Sequence, residues 1–74
     1  MTFEKVQESI VETLNCEKEK ITMDANLRDD LGADSLDATE LAMTLETEFD
    51  ITIDEEDLVN FKTVADIVNY IDNK

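Results

Sequence analysis

The chain has no histidine, no proline and no tryptophan, one glycine, one cysteine, and only six basic residues against twenty acidic ones. Each shortage closes a class of function. Without histidine the commonest general base is missing, so a serine nucleophile of the Ser-His-Asp kind has nothing to activate it. A single cysteine, Cys16, forms no internal disulfide, and without a second cysteine or a histidine the chain offers no zinc site. The formal charge of -14 repels nucleic acid phosphates and anionic membrane surfaces and attracts proteins with basic patches. No apolar run reaches membrane length, which argues against insertion, and Met1 is followed at once by an amphipathic pattern rather than by a basic and then an apolar region. A reducing cytoplasm is the expected location, or an organelle matrix if a precursor has been processed.

What is present points to one small helical domain spanning residues 1–74. A chain of 74 residues with 42% hydrophobic content is too short for two cores. It buries only about 60% of its unfolded surface, so its margin of stability is small and partial opening is easy. Phe3, Val6, Ile10 and Leu14 recur at spacings of three and four, which predicts a helix from about Phe3 to Asn15 capped by Thr2. Ala38, Leu41, Ala42, Leu45 and Phe49 form a second stripe. Val64, Ile67, Val68 and Ile71 form another, opened by Thr63 and Asp66 as a capping box, in which each side chain satisfies a backbone N–H of the other's turn. Between them "ITIDEEDLVNF" begins with alternation, yet Asp54 followed by Asp57 reads as the start of a short third helix, and a lone strand has no partner to pair with. The expected fold is all-α: a four-helix bundle with a short third helix and a long first loop.

That loop, from about Cys16 to Asp34, is long for so small a domain; Ile21, Leu27 and Leu31 are expected to pin it to the bundle. Gly32 sits near its end, where glycine permits a positive φ or a close backbone approach. The stretch "LGADSLDATEL" then places Ser35 where the second helix begins. Serine is a favoured N-cap, and most serines at helix starts do nothing else. Here Asp34 can cap instead, with Asp37 three positions on, which makes Ser35 the first helical residue and leaves its hydroxyl unclaimed. The N–H groups and positive dipole end at that point would stabilise a phosphate ester on it.

At 100° per residue, Leu36 and Met43 fall nearly opposite the core stripe of the second helix, with Glu40 and Thr47 beside them and Asp37 and Glu46 at the margins. One exposed apolar residue is ordinary. Two aligned inside an acidic rim read as a contact surface, apolar at the centre and charged at the edge. The run "DEED" from Asp54 to Asp57 lacks the spaced ligands and glycine of a calcium loop, so only weak divalent binding is expected and no dedicated metal site. No role is expected for Cys16.

The stretch "DLGADSLDATELAMTLETEFDITIDEED" closely resembles the acyl carrier proteins of dissociated bacterial or organellar fatty acid synthesis, and the likeness extends over essentially the whole chain. "DSL" alone is weak, but "LGADSLD" followed by "EL", "LE" and "EFD" at this spacing is specific. The resemblance implies that Ser35 carries 4'-phosphopantetheine, transferred from coenzyme A by a magnesium-dependent holo-acyl carrier protein synthase. It implies a carrier rather than an enzyme, with partner enzymes of fatty acid synthesis, basic at their docking patches, doing the chemistry. It implies a recognition face of Asp34, Leu36, Asp37, Glu40, Met43 and Glu46, and shelter for the acyl chain among Leu41, Leu45, Ile53, Leu58, Phe61 and Ile67. The chain departs from many such sequences at Asp54, where proline is common, at Thr47, which thins the acidic rim, and at Ala42, which is smaller than the usual branched residue.

Related carriers for polyketide, peptide or D-alanine transfer share this mechanism with a different cargo. An acidic interaction protein mimicking nucleic acid is supported by charge alone, and a small enzyme lacks any marked pair of catalytic groups. A monomer is the simplest state at this charge. Self-repulsion gives a first expectation: the melting temperature should rise as salt or a divalent cation is added to a low-salt buffer, by several degrees on thermal unfolding, and a flat response would count against it.

Overall fold

The structure, a computed structural model, describes residues 2–73. Four helices follow in chain order: α1 (Thr2–Leu14), α2 (Ser35–Phe49), α3 (Glu55–Leu58) and α4 (Val64–Asp72). Among the described residues there is no strand, and the all-α expectation holds. None of the helices is long and apolar enough to cross a membrane.

The predicted stripes become the core. Val6 and Ile10 of α1, Leu41 and Leu45 of α2, and Val64 and Ile67 of α4 are buried together, while Phe3, Leu14, Phe49 and Ile71 close its ends half-buried. Each fully buried aliphatic side chain contributes about 1.5–3 kcal/mol. α1 packs against both α2 and α4. Thr13 and Thr44 approach to 3.4 Å across the α1–α2 seam, and the Lys5 ammonium stands 5.7 Å from the Phe49 ring centroid.

The helix ends differ in part from expectation. Thr2 begins α1 rather than capping it, and its hydroxyl donates to Asp72 Oδ1 at 2.6 Å, tying the start of α1 to the end of α4. Asn15 lies outside α1, because its φ of 56° is left-handed, a conformation asparagine tolerates at helix ends. Its N–H still donates to the Val11 carbonyl at 2.8 Å. α3 is a single turn, and Asp54 precedes it without a side-chain cap bond. Asp57 is engaged elsewhere, accepting the Tyr70 hydroxyl at 2.9 Å, and Tyr70 packs edge-on to Phe61 with ring centroids 5.2 Å apart. A helix of one turn cannot stabilise itself, so these contacts with α4 hold it.

The long loop is ordered from end to end. A 3-10 turn at Lys18–Lys20 is followed by a tether from Gln7, whose side-chain amide donates to the Ile21 carbonyl at 2.8 Å. Ile21 and Leu27 are buried, as are Ala25 and Ala33, whereas Leu31 is half-buried against the core. The middle of the loop lies antiparallel to the α3–α4 connection at an isolated bridge between Asn26 and Thr63. Leu27 donates to the Lys62 carbonyl at 2.9 Å, Val64 to that of Ala25 at 3.1 Å, and Ala65 to that of Met23 at 2.9 Å.

The capping box at α4 is present. Thr63 accepts from the Asp66 N–H, and Asp66 Oδ2 accepts from the N–H groups of Lys62 and Thr63 at 3.0 and 3.1 Å. These backbone donors, that of Lys62 foremost, hold the Asp66 carboxyl below its ordinary range. A carboxylate with a depressed folded-state pKa stabilises fully above the ordinary value of about 3.9, and its contribution fades as pH falls through the lowered value. Asp66→Ala should therefore cost about 0.5–1 kcal/mol at pH 7, and the gap to wild type should close below about pH 4, as measured by urea unfolding of both proteins at each pH.

Candidate functional site

The approach to Ser35 is built by one capped turn. Asn26 Oδ1 accepts from the N–H groups of Arg28 and Asp29, both at 2.9 Å, while Asp30 Oδ2 accepts from the Asn26 N–H at 2.7 Å. The turn ends at Gly32, whose φ is 72° and whose N–H reaches the Arg28 carbonyl at 3.1 Å. A Cβ on Gly32 would meet no atom within 4 Å, so the glycine serves its left-handed backbone rather than a close approach. Ala33 then donates to the Leu27 carbonyl at 2.8 Å and, buried itself, delivers the chain to Asp34.

Asp34 is the N-cap of α2. Its Oδ1 accepts the Asp37 N–H at 2.9 Å, and the Asp37 carboxylate accepts the Asp34 N–H at 3.3 Å. Ser35 is consequently the first helical residue, exposed, with its carbonyl accepting the Thr39 hydroxyl at 3.0 Å. Among the described residues no hydrogen bond engages the Ser35 hydroxyl. It stands at the positive end of a 15-residue helix, where unpaired N–H groups favour an attached anion.

Ser35 lines a groove of about 620 Å³ between α2 and the α3 region. Ala38 and Thr39 of α2 form one wall, Leu58, Val59 and Phe61 the other. Val59 is 75% exposed, a large apolar residue that the periodicity did not single out. Arg28 and Lys62 line the same groove and were also missed, because only the non-local bridge between Asn26 and Thr63 brings their segments together. A chemical signal existed for one of them, since Arg28 is the chain's single arginine. Adjoining the groove, with Leu27, Ala33, Ala38, Leu58 and Phe61 shared between the two linings, is a small apolar space of about 20 Å³, room for roughly one water. Leu41, Leu45, Leu58, Phe61 and Ile67 all line it; Ile53 lines neither space and lies half-buried beside the core.

The outer face of α2 is as the helical wheel predicts. Leu36 and Met43 are 68% and 62% exposed, and Glu40 and Thr47 are exposed with them. Asp37 is half-buried through its part in the cap. Glu46 is half-buried as well, because its Oε2 accepts the Ile53 N–H at 2.9 Å and so anchors the α2–α3 connection. No cluster of three or more metal-ligating side chains occurs among the described residues.

A protein-family profile described as "Phosphopantetheine attachment site" matches residues 4–71. Similar curated proteins include an acyl carrier protein from Exiguobacterium sibiricum, 51% identical over 69 residues that cover 93% of this chain and 87% of that protein. Another, from Petrotoga mobilis, is 47% identical over 72 residues, covering 97% and 85%. A solved structure of a candidate acyl carrier protein from Mycobacterium tuberculosis superposes with a TM-score of 0.91 at 37% identity, covering 99% of this chain and 97% of that one.

The turn before Ser35 makes its own test. Gly32→Ala should destabilise the fold by about 1 kcal/mol through its left-handed backbone, and Gly32→Asn by less, since asparagine visits that region more readily. Equal stability of both variants with wild type in denaturant titrations would show that the glycine's conformation is not required.

Proposed function

Because the chain belongs to the acyl carrier proteins and contains their phosphopantetheine attachment domain, we propose that Ser35 is the residue that takes 4'-phosphopantetheine and that the protein presents acyl intermediates to the enzymes of fatty acid synthesis. One observation carries the assignment: Ser35 is exposed at the first position of α2, freed from capping by Asp34, in the lining of a groove of about 620 Å³ that can receive a flexible arm. When attached, the group supplies a terminal thiol on which acyl chains travel as thioesters. The protein's own part is to hold the ester at the helix's positive end and to offer the groove. It activates no nucleophile, because the chain has no histidine to take the serine's proton.

The lining of the inner space supports a hydrocarbon cargo. Leu41, Leu45, Leu58, Phe61 and Ile67 offer an acyl chain dispersion contacts and no hydrogen bonds, which suits a saturated chain better than an amino acid or a polar ketide. At about 20 Å³ the space admits a chain only if α3 moves away from α2. Each methylene then buried returns about 0.8 kcal/mol, enough over several methylenes to offset the contacts displaced. Ile53 shares the core's margin and would follow that movement.

Recognition by partners is assigned to the outer face of α2, where Leu36 and Met43 supply burial and Asp34, Asp37, Glu40 and Glu46 supply charge. The fitting partners are the holo-synthase and synthesis enzymes with basic patches, met by a monomer in the cytoplasm.

Incubation with coenzyme A, magnesium and a broad-specificity phosphopantetheinyl transferase should add one phosphopantetheine to the intact mass of the wild type and none to Ser35→Ala, whose helices should remain by circular dichroism. Modification of the alanine variant would move the attachment site elsewhere. Leu36→Ser and Met43→Ser should each lower kcat/KM for loading by on the order of tenfold while leaving the melting temperature unchanged, since both side chains are already solvated in the free protein. A loss of stability in step with activity would assign them to the fold instead.

A further inference from the structure

The cations of this chain are scarce, and two of the six, Arg28 and Lys62, line the groove that Ser35 opens. Their meeting there is a product of the backbone. Leu27 donates to the Lys62 carbonyl, so the turn that carries Arg28 is tied to the α3–α4 connection that carries Lys62. The main-chain groups of both are occupied: the Arg28 N–H by Asn26, its carbonyl by Gly32, and the Lys62 N–H by Asp66. Among the described residues no hydrogen bond engages either side chain, and both residues are exposed. The acids that line the groove with them are Asp29, Asp34 and Glu55, and Asp66, beside Lys62, already interacts electrostatically with it. Asp34 and Asp66 are already committed to helix caps.

An anion on Ser35 meets an adverse field. Asp34 and Asp37 flank it, and the molecule as a whole carries -14. The N-terminal end of α2 offers only about half a positive charge in compensation. Two cations lining the same groove as the anion lie within the range over which charges act at ordinary ionic strength, about 8–10 Å.

On this basis, and resting on Ser35 as the attachment point, we infer that Arg28 and Lys62 form a two-residue clamp for the phosphodiester of the attached arm, drawing the arm's first segment into the groove instead of leaving it free in solvent. Arginine pairs with two phosphate oxygens through its planar fork, and the lysine ammonium adds a point charge beside it. Both are positioning residues, for they act on where the arm lies and take no part in chemistry at its thiol. The clamp is electrostatic, so added salt releases it.

The test uses the holo protein in three forms, wild type, Arg28→Gln and the double variant Arg28→Gln with Lys62→Gln. Intact mass first establishes that one phosphopantetheine is present on each. Absence of that gain in the wild type, or its survival in Ser35→Ala, would overturn the attachment reading and the clamp together. With loading established, the phosphorus NMR signal of the phosphodiester in the wild type should move as salt is raised from low to physiological strength. In the double variant it should start at the released position and stay there, with Arg28→Gln between them. The arm's thiol should also react several-fold faster with a disulfide reagent in the double variant at low salt. Identical phosphorus shifts and salt responses in all three proteins would overturn the clamp while leaving Ser35 as the attachment point. An unchanged phosphorus signal, combined with altered stability only of a dicarboxylic acyl thioester on the arm, would do the same and transfer the cations' role to the cargo.

Discussion

Three backbone hydrogen bonds tie the long loop to the end of the α3–α4 connection and the first turn of α4, at Leu27 with Lys62, Val64 with Ala25 and Ala65 with Met23, and they decide where the other parts of this molecule stand. They lock a segment that joins α1 to α2 against one that joins α3 to α4, so the two halves of the chain are stitched at their least helical points. Buried Ile21, Ala25, Leu27 and Ala33 remove those bonds from competing water, which gives each its worth. Once the stitch is made, the turn from Asn26 to Gly32 can only lead α2 away at one place. The position of Ser35 and the presence of both Arg28 and Lys62 in the groove's lining are consequences of the same registration.

Charge acts against this arrangement everywhere else. With twenty acids the folded chain is under strong self-repulsion, and it uses carboxylates locally where they are welcome. Asp34 and Asp37 satisfy N–H groups at the start of α2, Asp66 satisfies those before α4, and Glu46 satisfies the Ile53 N–H beyond the end of α2. Asp30 closes the turn before Gly32. In each case an acid meets unpaired backbone donors, so its charge contributes to order instead of to repulsion. The acids left over, with Leu36 and Met43 among them, form the face that partners with basic patches are proposed to meet.

α3 is the part of the bundle with the least support. Its single turn is held by the Tyr70 hydroxyl on Asp57, by the edge contact of Tyr70 with Phe61, and by its half-buried Leu58. The same segment supplies one wall of the outer groove and part of the ceiling of the small inner space. A wall secured by a few contacts can yield to a guest that replaces them with its own. The small apolar space and the short helix therefore belong to one device in the proposed sheltering of an acyl chain.

Much was legible from local pattern. The spacing of Val6 and Ile10, Leu41 and Leu45, and Val64 and Ile67 marked three core stripes, because helical periodicity is a property of neighbours in sequence. The capping pairs Asp34 with Asp37 and Thr63 with Asp66 marked two helix starts for the same reason, and with the first of them came the free hydroxyl of Ser35. The solvated positions of Leu36 and Met43 followed from the 100° step alone. Where local signals competed, sequence was a poorer guide: Thr2 reads as a cap but reaches Asp72, while Asp54 does stand at the start of α3 yet makes no side-chain cap bond there. The groove, the small inner space, the exposure of Val59, the hold of Tyr70 on Asp57 and the meeting of Arg28 with Lys62 depend on residues 10 to 40 positions apart. Such contacts arise only when the loop registers against the α3–α4 connection, and that register is chosen by the packing of the whole core, which no short stretch of the chain encodes.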